Sequence, residues 1–386
     1  MHNQSFFEGI KKEALVCAHC GYCRVGCPIY EQIGWESGSP RAKMSIASKL
    51  ADSGELNEQD ISRIFQCTLC GKCRDVCSTR IDTLEVWKHL RECIVEKGGG
   101  PKNLKTLTQT IVENSNITGD EQENRELWMD SLEDEAYKQH VGRQGKVLYF
   151  TGCSGSLYPQ VYGIPQSFVQ ILEKAGEDYT LLGAQESCCG FPLIAAGEPK
   201  KVKDQMMKNL EHIAQLGVET VVTTCPSCYH TWRDTYPEIM GKENSFKVMH
   251  SSQLIAEYIR TGKLELHELN EHVTYHDPCD LGRNSGVYDE PRFVLNHIPG
   301  LNFTEMYETR ETSNCCGGGG NLEAVDAELT GRIAAKRIQD IMDTGAQTVV
   351  SGCQQCKRTL QVNARKNKAR IKVLDLTELV LKSINN

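Results

Sequence analysis

Cys17, Cys20, Cys23 and Cys27 stand in the order C-x2-C-x2-C-x3-C-P, and Cys67, Cys70, Cys73 and Cys77 repeat the spacing fifty residues on. Three thiolates at three-residue intervals wrap one face of a cube of iron and sulfide, whereas zinc sites draw on two separated cysteine pairs. The chemistry this spacing serves is one-electron transfer. A second set of thiols is stranger. Cys188 and Cys189 are adjacent in "SCCGFP", and Cys315 and Cys316 are adjacent in "SNCCGGGGN". Neighbouring side chains on an extended strand point to opposite faces, so a shared partner requires a tight turn, which glycine permits at Gly190 and Gly317.

Both pairs belong to a duplicated pattern. Cys153, Cys188, Cys189, Cys225 and Cys228 recur as Cys279, Cys315, Cys316, Cys353 and Cys356, at offsets of 126 for the first, 127 for the pair and 128 for the C-x2-C. Near-constant offsets across five cysteines mark an internal duplication. Five thiols per repeat exceed the four an ordinary cluster needs. A vicinal disulfide within each pair would be strained and would leave the distant cysteines unexplained.

The elements that must position these thiols follow from the apolar pattern. "KVLYFTGC" and "HVTYHDPC" read as strands ending at the first cysteine, and "TVVTTCPSC" and "TVVSGCQQC" as buried strands running into a C-x2-C turn. Helical stripes lie between them, at Val202, Met206, Leu210 and Ile213 and at Leu329, Ile333, Ile338 and Ile341. Each stripe begins 13 residues after its cysteine pair. Alternating strands and helices predict two α/β units with short parallel sheets, and ligands in such units gather at the carboxyl ends of the strands. Between the first two cysteine runs, "PRAKMSIASKLADSG" and "NEQDISRIF" read as helices. The expected fold is therefore α+β and α/β. Its parts are a helical dicluster segment over 1–100, an acidic linker over 101–145, and cysteine-rich domains over 146–265 and 270–386.

Composition excludes several other classes. Nineteen cysteines in 386 residues suggest a disulfide scaffold, but such scaffolds are short. The stretch "MHNQSFFEGIKKEALVC" has no apolar core of a secretory signal, and no run of about 18 apolar residues forms a membrane span. A cytoplasmic chain is expected. The formal charge of −8 argues against a general nucleic-acid surface. The glycine run lacks the Lys-Ser or Lys-Thr of a phosphate loop, and no G-x-G-x-x-G follows a strand, so no flavin or nicotinamide site is expected.

The C…CCG…C-x2-C repeat preceded by two ferredoxin runs resembles the catalytic iron-sulfur subunit of heterodisulfide reductase in its fused form. It is also similar to the iron-sulfur subunits of glycolate and lactate dehydrogenases. The resemblance runs from Cys17 to Cys356. It implies two cubane 4Fe-4S clusters in the ferredoxin part, with the fourth cysteine of each run serving the other run's cluster. One would take Cys17, Cys20, Cys23 and Cys77, and the other Cys67, Cys70, Cys73 and Cys27. Ser78 departs from the pattern, standing where proline is usual, and the 39 residues between the runs point to the more helical type of ferredoxin domain. The resemblance further implies two noncubane 4Fe-4S clusters, one on each set of five cysteines, which makes those ten residues catalytic for a small disulfide or thiol. Gly190 and Gly317 would leave backbone N–H groups close to cluster sulfur. Electrons would come from a redox partner subunit, a flavoprotein, a ferredoxin or a membrane cytochrome, so the chain could sit at a membrane through that partner. The alternative is an electron-transfer subunit of a flavoprotein dehydrogenase or of a larger low-potential reductase complex.

Four remaining features have plain readings. Cys93 in "VWKHLRECIVEKG" reads as a half-buried helix thiol. His276 in "YHDPC" reads as a satisfied polar group at a strand end, with donation to a cluster or substrate as the alternative. Lys357 and Arg358, after Cys356, read as a solvated helix start or as an attraction for an anion. Asp120 to Glu135, with eight acids and one base, reads as an exposed linker helix that could contact a partner.

Overall fold

The computed structural model describes residues 2–132 and 135–386, with side chains from 9 to 132 and 137 to 386. Its first part is helical. Ser39 accepts from the Ala42 N–H and caps helix Pro40–Ser53, while Asn57 and Asp60 form a reciprocal capping box on Glu58–Phe65. Asp82 caps Thr83–Glu96. These helices bury Met44, Leu50, Ile64, Phe65, Trp87 and Leu90 in one cluster. Cys93 lies in the same cluster at 2 % exposure, more deeply than the sequence implies, and burial pushes its thiol up to about 12.

Eight strands follow: β1 Val147–Phe150, β2 Tyr179–Thr180, β3 Thr220–Thr223, β4 Lys247–His250, β5 His272–His276, β6 Asn302–Phe303, β7 Thr348–Ser351 and β8 Lys372–Asp375. They form two parallel sheets of order β2-β1-β3-β4 and β6-β5-β7-β8. The order is the same in both, as a duplication requires. Phe150 pairs with Thr223 in the first sheet, and His276 with Ser351 in the second. Four of the strands are those read from the sequence. β2 and β6 are too short to carry a period, and β4 and β8 each begin with an exposed lysine that blurs theirs.

The two sheets share one core. Tyr149, Phe168, Tyr275, Val350, Leu374 and Leu379 belong to a single buried cluster that crosses the repeat boundary. Helix Leu376–Ile384, opened by a capping box of Asp375 and Glu378, lies against helix Gly163–Lys174 of the first repeat. Thr377 donates to the Ile164 carbonyl across that contact.

The stretch read as an exposed linker helix is packed instead. Within it Gln122–Met129 is a 3-10 turn burying Arg125, Trp128 and Met129, and ahead of it Lys102–Asn114 is an α-helix burying Leu104 and Ile111. Three large groups inside outweigh the surrounding acids, which remain on the outer face. Glu133 and Asp134 of that stretch lie outside the described residues. Among the described residues, no helix is long and apolar enough to cross a membrane.

Candidate metal centres

Each ferredoxin run is bent by the same backbone device. His19 and Gly21 in the first run, and Leu69 and Gly71 in the second, take left-handed conformations with φ of 50°, 85°, 53° and 78°. Two such residues between consecutive thiols turn the chain around a common point. Cys27, Cys67, Cys70 and Cys73 line one cavity with Pro28, Lys43 and Trp87. The fourth cysteine of the first run therefore lies among the first three of the second. Burial pushes the Cys27 thiol up to about 11, and it also raises the Cys73 thiol. In the other direction, Ser78 places its hydroxyl 3.6 Å from the Cys20 thiol, a contact that proline could not make. Cys20 is exposed, and Tyr22, Val25 and Trp35 near it in sequence are exposed apolar groups at 62, 73 and 75 %.

The cysteine-rich sites stand at the carboxyl ends of the strands. Gly152, at φ 78°, turns the chain out of β1, and a Cβ there would lie 3.2 Å from the Cys228 sulfur. Cys225 and Cys353 open the helices Pro226–His230 and Gln354–Lys366 at the ends of β3 and β7. The adjacent pairs sit in turns closed by Gly190 and Gly317, at φ 95° and 90°. Gly190 and Gly317 donate their N–H groups to the sulfurs of Cys188 and Cys315 at 3.5 and 3.3 Å, and Gly318 donates to Cys316 at 3.4 Å. Cys228 donates to Cys189 at 3.4 Å, and the sulfurs of Cys316 and Cys356 share a hydrogen bond at 3.3 Å. Hydrogen bonds from Cys188 and Cys228 bring the Cys189 thiol down to about 6, and those from Cys315 and Cys356 lower Cys316 in the same way. The same member of each pair is thus the readiest thiolate.

The two repeats face one cavity of about 360 Å³, within the range that holds small ligands. Nine of the ten repeat cysteines line it, with Tyr158, Phe191 and Arg358. The tenth, Cys315, lies beside the thiols of Cys279 and of Cys70 in the second ferredoxin run, which lower its own. The glycines after the pair explain that approach. A Cβ on Gly319 would lie 2.7 Å from the Thr68 carbonyl oxygen, and one on Gly320 would lie 2.5 Å from that of Cys67. Only glycine lets the two backbones lie so close. The residues present fit iron-sulfur clusters: soft thiol donors, all free, converge, and at Gly152 a Cβ would press on the Cys228 sulfur.

Sequence reading missed the buried arginines. Arg125 donates to the Cys153 sulfur at 3.2 Å and to Glu186 at 2.8 Å, and it is the one base in the acidic stretch. That isolation was its only signal. Burial pushes the Glu186 carboxyl up to about 7 even beside this arginine. Arg283 donates to the carbonyls of Cys70, Glu311 and Ser313. Arg91 is fully buried and donates to the carbonyls of Ile64, Phe65, Cys67, Ala195 and Gly320. It thereby ties the helical part to both repeats.

Lys357 and Arg358 are not a solvated helix start. Lys357 is 4 % exposed and paired with Glu378 at 2.7 Å, and Arg358 is paired with Glu323 over the Tyr158 ring. Their charges are already answered by carboxylates. His276, at the end of β5, accepts a hydrogen bond on Nδ1 from Arg337 Nε at 3.0 Å. A ring nitrogen and the sulfurs of Cys316 and Cys356 all lie within 4.8 Å of one another.

Comparison with known families agrees with this layout. A model of the cysteine-rich CCG domain matches residues 147–233 and 273–361, and a 4Fe-4S dicluster model matches 13–81. The chain is 31 % identical to a subunit of the dihydromethanophenazine:CoB–CoM heterodisulfide reductase from Methanosarcina barkeri, over 95 % of this chain and 93 % of that protein. The corresponding subunit from Methanosarcina acetivorans is 32 % identical over the same shares. One subunit of a fumarate reductase (CoM/CoB) from Methanothermobacter marburgensis is 26 % identical over 94 % of this chain and 71 % of that protein.

Proposed function

This chain belongs to the family of heterodisulfide reductase iron-sulfur subunits, and on that premise we propose that it takes electrons from a partner protein and reduces a small disulfide between its two cysteine-rich repeats. It is an iron-sulfur oxidoreductase subunit that binds 4Fe-4S clusters. One ferredoxin-type site takes Cys17, Cys20, Cys23 and Cys77, and the other Cys67, Cys70, Cys73 and Cys27. The five cysteines of each repeat hold one further cluster, of noncubane type. When bound, these groups supply one-electron transfer and, in the repeats, iron open to a substrate sulfur.

The single observation that carries the reading is the common cavity, onto which both repeats direct their thiols. Reduction breaks one S–S bond and consumes two electrons and two protons, one of each per sulfur. Facing sites divide that demand equally. Phe191, Leu107 and Ile117 give the cavity an apolar wall that limits water around the bond to be broken. The Cys70–Cys315 contact sets the last step of the electron path, and the exposed surface beside Cys20 receives the partner, where Cys20 lies closest to solvent.

Protein purified without oxygen with its clusters intact is expected to hold about sixteen iron and sixteen sulfide per chain. About eight of each would leave the repeats without clusters and overturn the reading. Adding candidate thiols to the oxidised protein should produce a new paramagnetic signal from a repeat site. Silence across a panel that includes the thiols of the copurifying pathway would favour an electron conduit serving a flavoprotein dehydrogenase.

A further inference from the structure

The duplication makes every difference between the repeats informative. His276 stands three residues before Cys279, as Phe150 stands three before Cys153, and the two occupy the same register in their sheets. Around His276 the second repeat places Arg337, fully buried, and Asp340. Arg337 Nε donates to His276 Nδ1 at 3.0 Å, Arg337 Nη1 pairs with Asp340 at 3.4 Å, and Asp340 is held by Asn314 at 3.0 Å and by Lys336. At the 127-residue offset of the cysteine pairs, Arg337 and Asp340 correspond to Leu210 and Ile213. A His-Arg-Asp chain in the second repeat, buried at His276 and Arg337 and half-buried at Asp340, is thus Phe-Leu-Ile in the first. Phe150 packs edge-on against Trp232, with ring centroids 5.3 Å apart.

A guanidinium N–H can only donate, so Nδ1 of His276 must accept, and the ring proton resides on Nε2. We propose that His276 holds this N–H toward the sulfurs of Cys316 and Cys356, a contact the first repeat lacks, and thereby raises the reduction potential of the second-repeat site. A donor to a ligating sulfur stabilises the extra negative charge of the reduced state and raises the potential. The first repeat has a donor of another kind, Arg125, which reaches the Cys153 sulfur at 3.2 Å and is paired with Glu186 at 2.8 Å. His276 is a positioning residue, since its effect passes through the cysteines.

The proposal rests on the reading of both repeats as cluster sites, and the test separates the two. Redox titration of the complete protein, followed by electron paramagnetic resonance, should resolve two repeat sites. His276→Leu should lower one of them by about tenfold in its reduction equilibrium, ~59 mV for a one-electron couple, and leave the other unmoved. His276→Gln, which can still accept from Arg337 and donate toward the sulfurs, should restore most of the shift. Wild-type protein carrying 15N-labelled histidine should show a weak nitrogen coupling on one repeat signal and not on the other, a measurement that does not depend on a folded variant. Both potentials unchanged in a loaded His276→Leu protein, or no such coupling, overturns the proposal alone. Wild-type protein with no cluster in the second repeat overturns the reading beneath it.

Discussion

Cys189→Ser and Cys316→Ser are each expected to abolish disulfide reduction while the ferredoxin-type sites remain reducible. Each cysteine is the second of its adjacent pair, is hydrogen-bonded to the last cysteine of its own repeat at 3.4 or 3.3 Å, and lies 5 or 3 % exposed on the shared cavity. Serine keeps the shape but offers a smaller, harder atom that stays protonated where the thiol is readily ionised. Losing an outer hydrogen bond to a metal ligand costs about 10–100-fold, and losing the ligand itself should exceed about 100-fold. Since a disulfide needs an electron at each sulfur, neither repeat can stand in for the other. The measurement is turnover from a one-electron donor in cluster-counted protein, with the ferredoxin-type signals followed in the same samples. Full activity in either variant would show that the chain conducts electrons without handling a disulfide itself.

Arg91→Met should destabilise the chain by about 3–5 kcal/mol. Its guanidinium reaches Ala195 at 2.5 Å, Cys67 at 2.6 Å and Gly320 at 3.0 Å, with Ile64 and Phe65 beyond, and every acceptor is a backbone carbonyl. Burial brings the group down to about 10, the mark of a charge held at a desolvation cost, and methionine would relieve that cost. Against the relief stand five carbonyls left without this donor, each costing about 1–3 kcal/mol. The carbonyls outweigh the relief because they come from three parts of the chain and cannot all turn elsewhere. Anaerobic denaturant unfolding of the loaded protein provides the check. A loss under about 1 kcal/mol would mean that water or a local shift replaces the arginine.

The cysteine framework was legible because ligation restricts both residue type and spacing, and its duplication exposed Cys153 and Cys279 as partners of distant pairs. Strands β1, β3, β5 and β7 were legible because burial on both faces leaves nearly continuous apolar runs. Arg91, Arg125 and Arg283 were not. An arginine whose acceptors are carbonyls up to 229 residues away has the same sequence appearance as one in solvent. Gly319 and Gly320 showed flexibility in the sequence, whereas their place against Cys67 and Thr68 is a matter of close approach. Lys357 followed the same logic, since its partner Glu378 is 21 residues away and belongs to the next helix.

The seating of helix Leu376–Ile384 against helix Gly163–Lys174 bears on how the molecule is made. Synthesis completes the first repeat more than 100 residues before the helix that completes its packing. During that interval the nascent first repeat exposes the apolar face that Leu379 and Val380 later cover. Its five thiols can be synthesised early, but their final pocket also needs Gln354, which reaches from the second repeat to the Thr151 carbonyl and the Thr224 hydroxyl. On the proposed function, iron delivery to the first repeat therefore belongs after translation has passed residue 384, and a ribosome stalled in the second repeat would present reactive thiols with no finished place to hold metal.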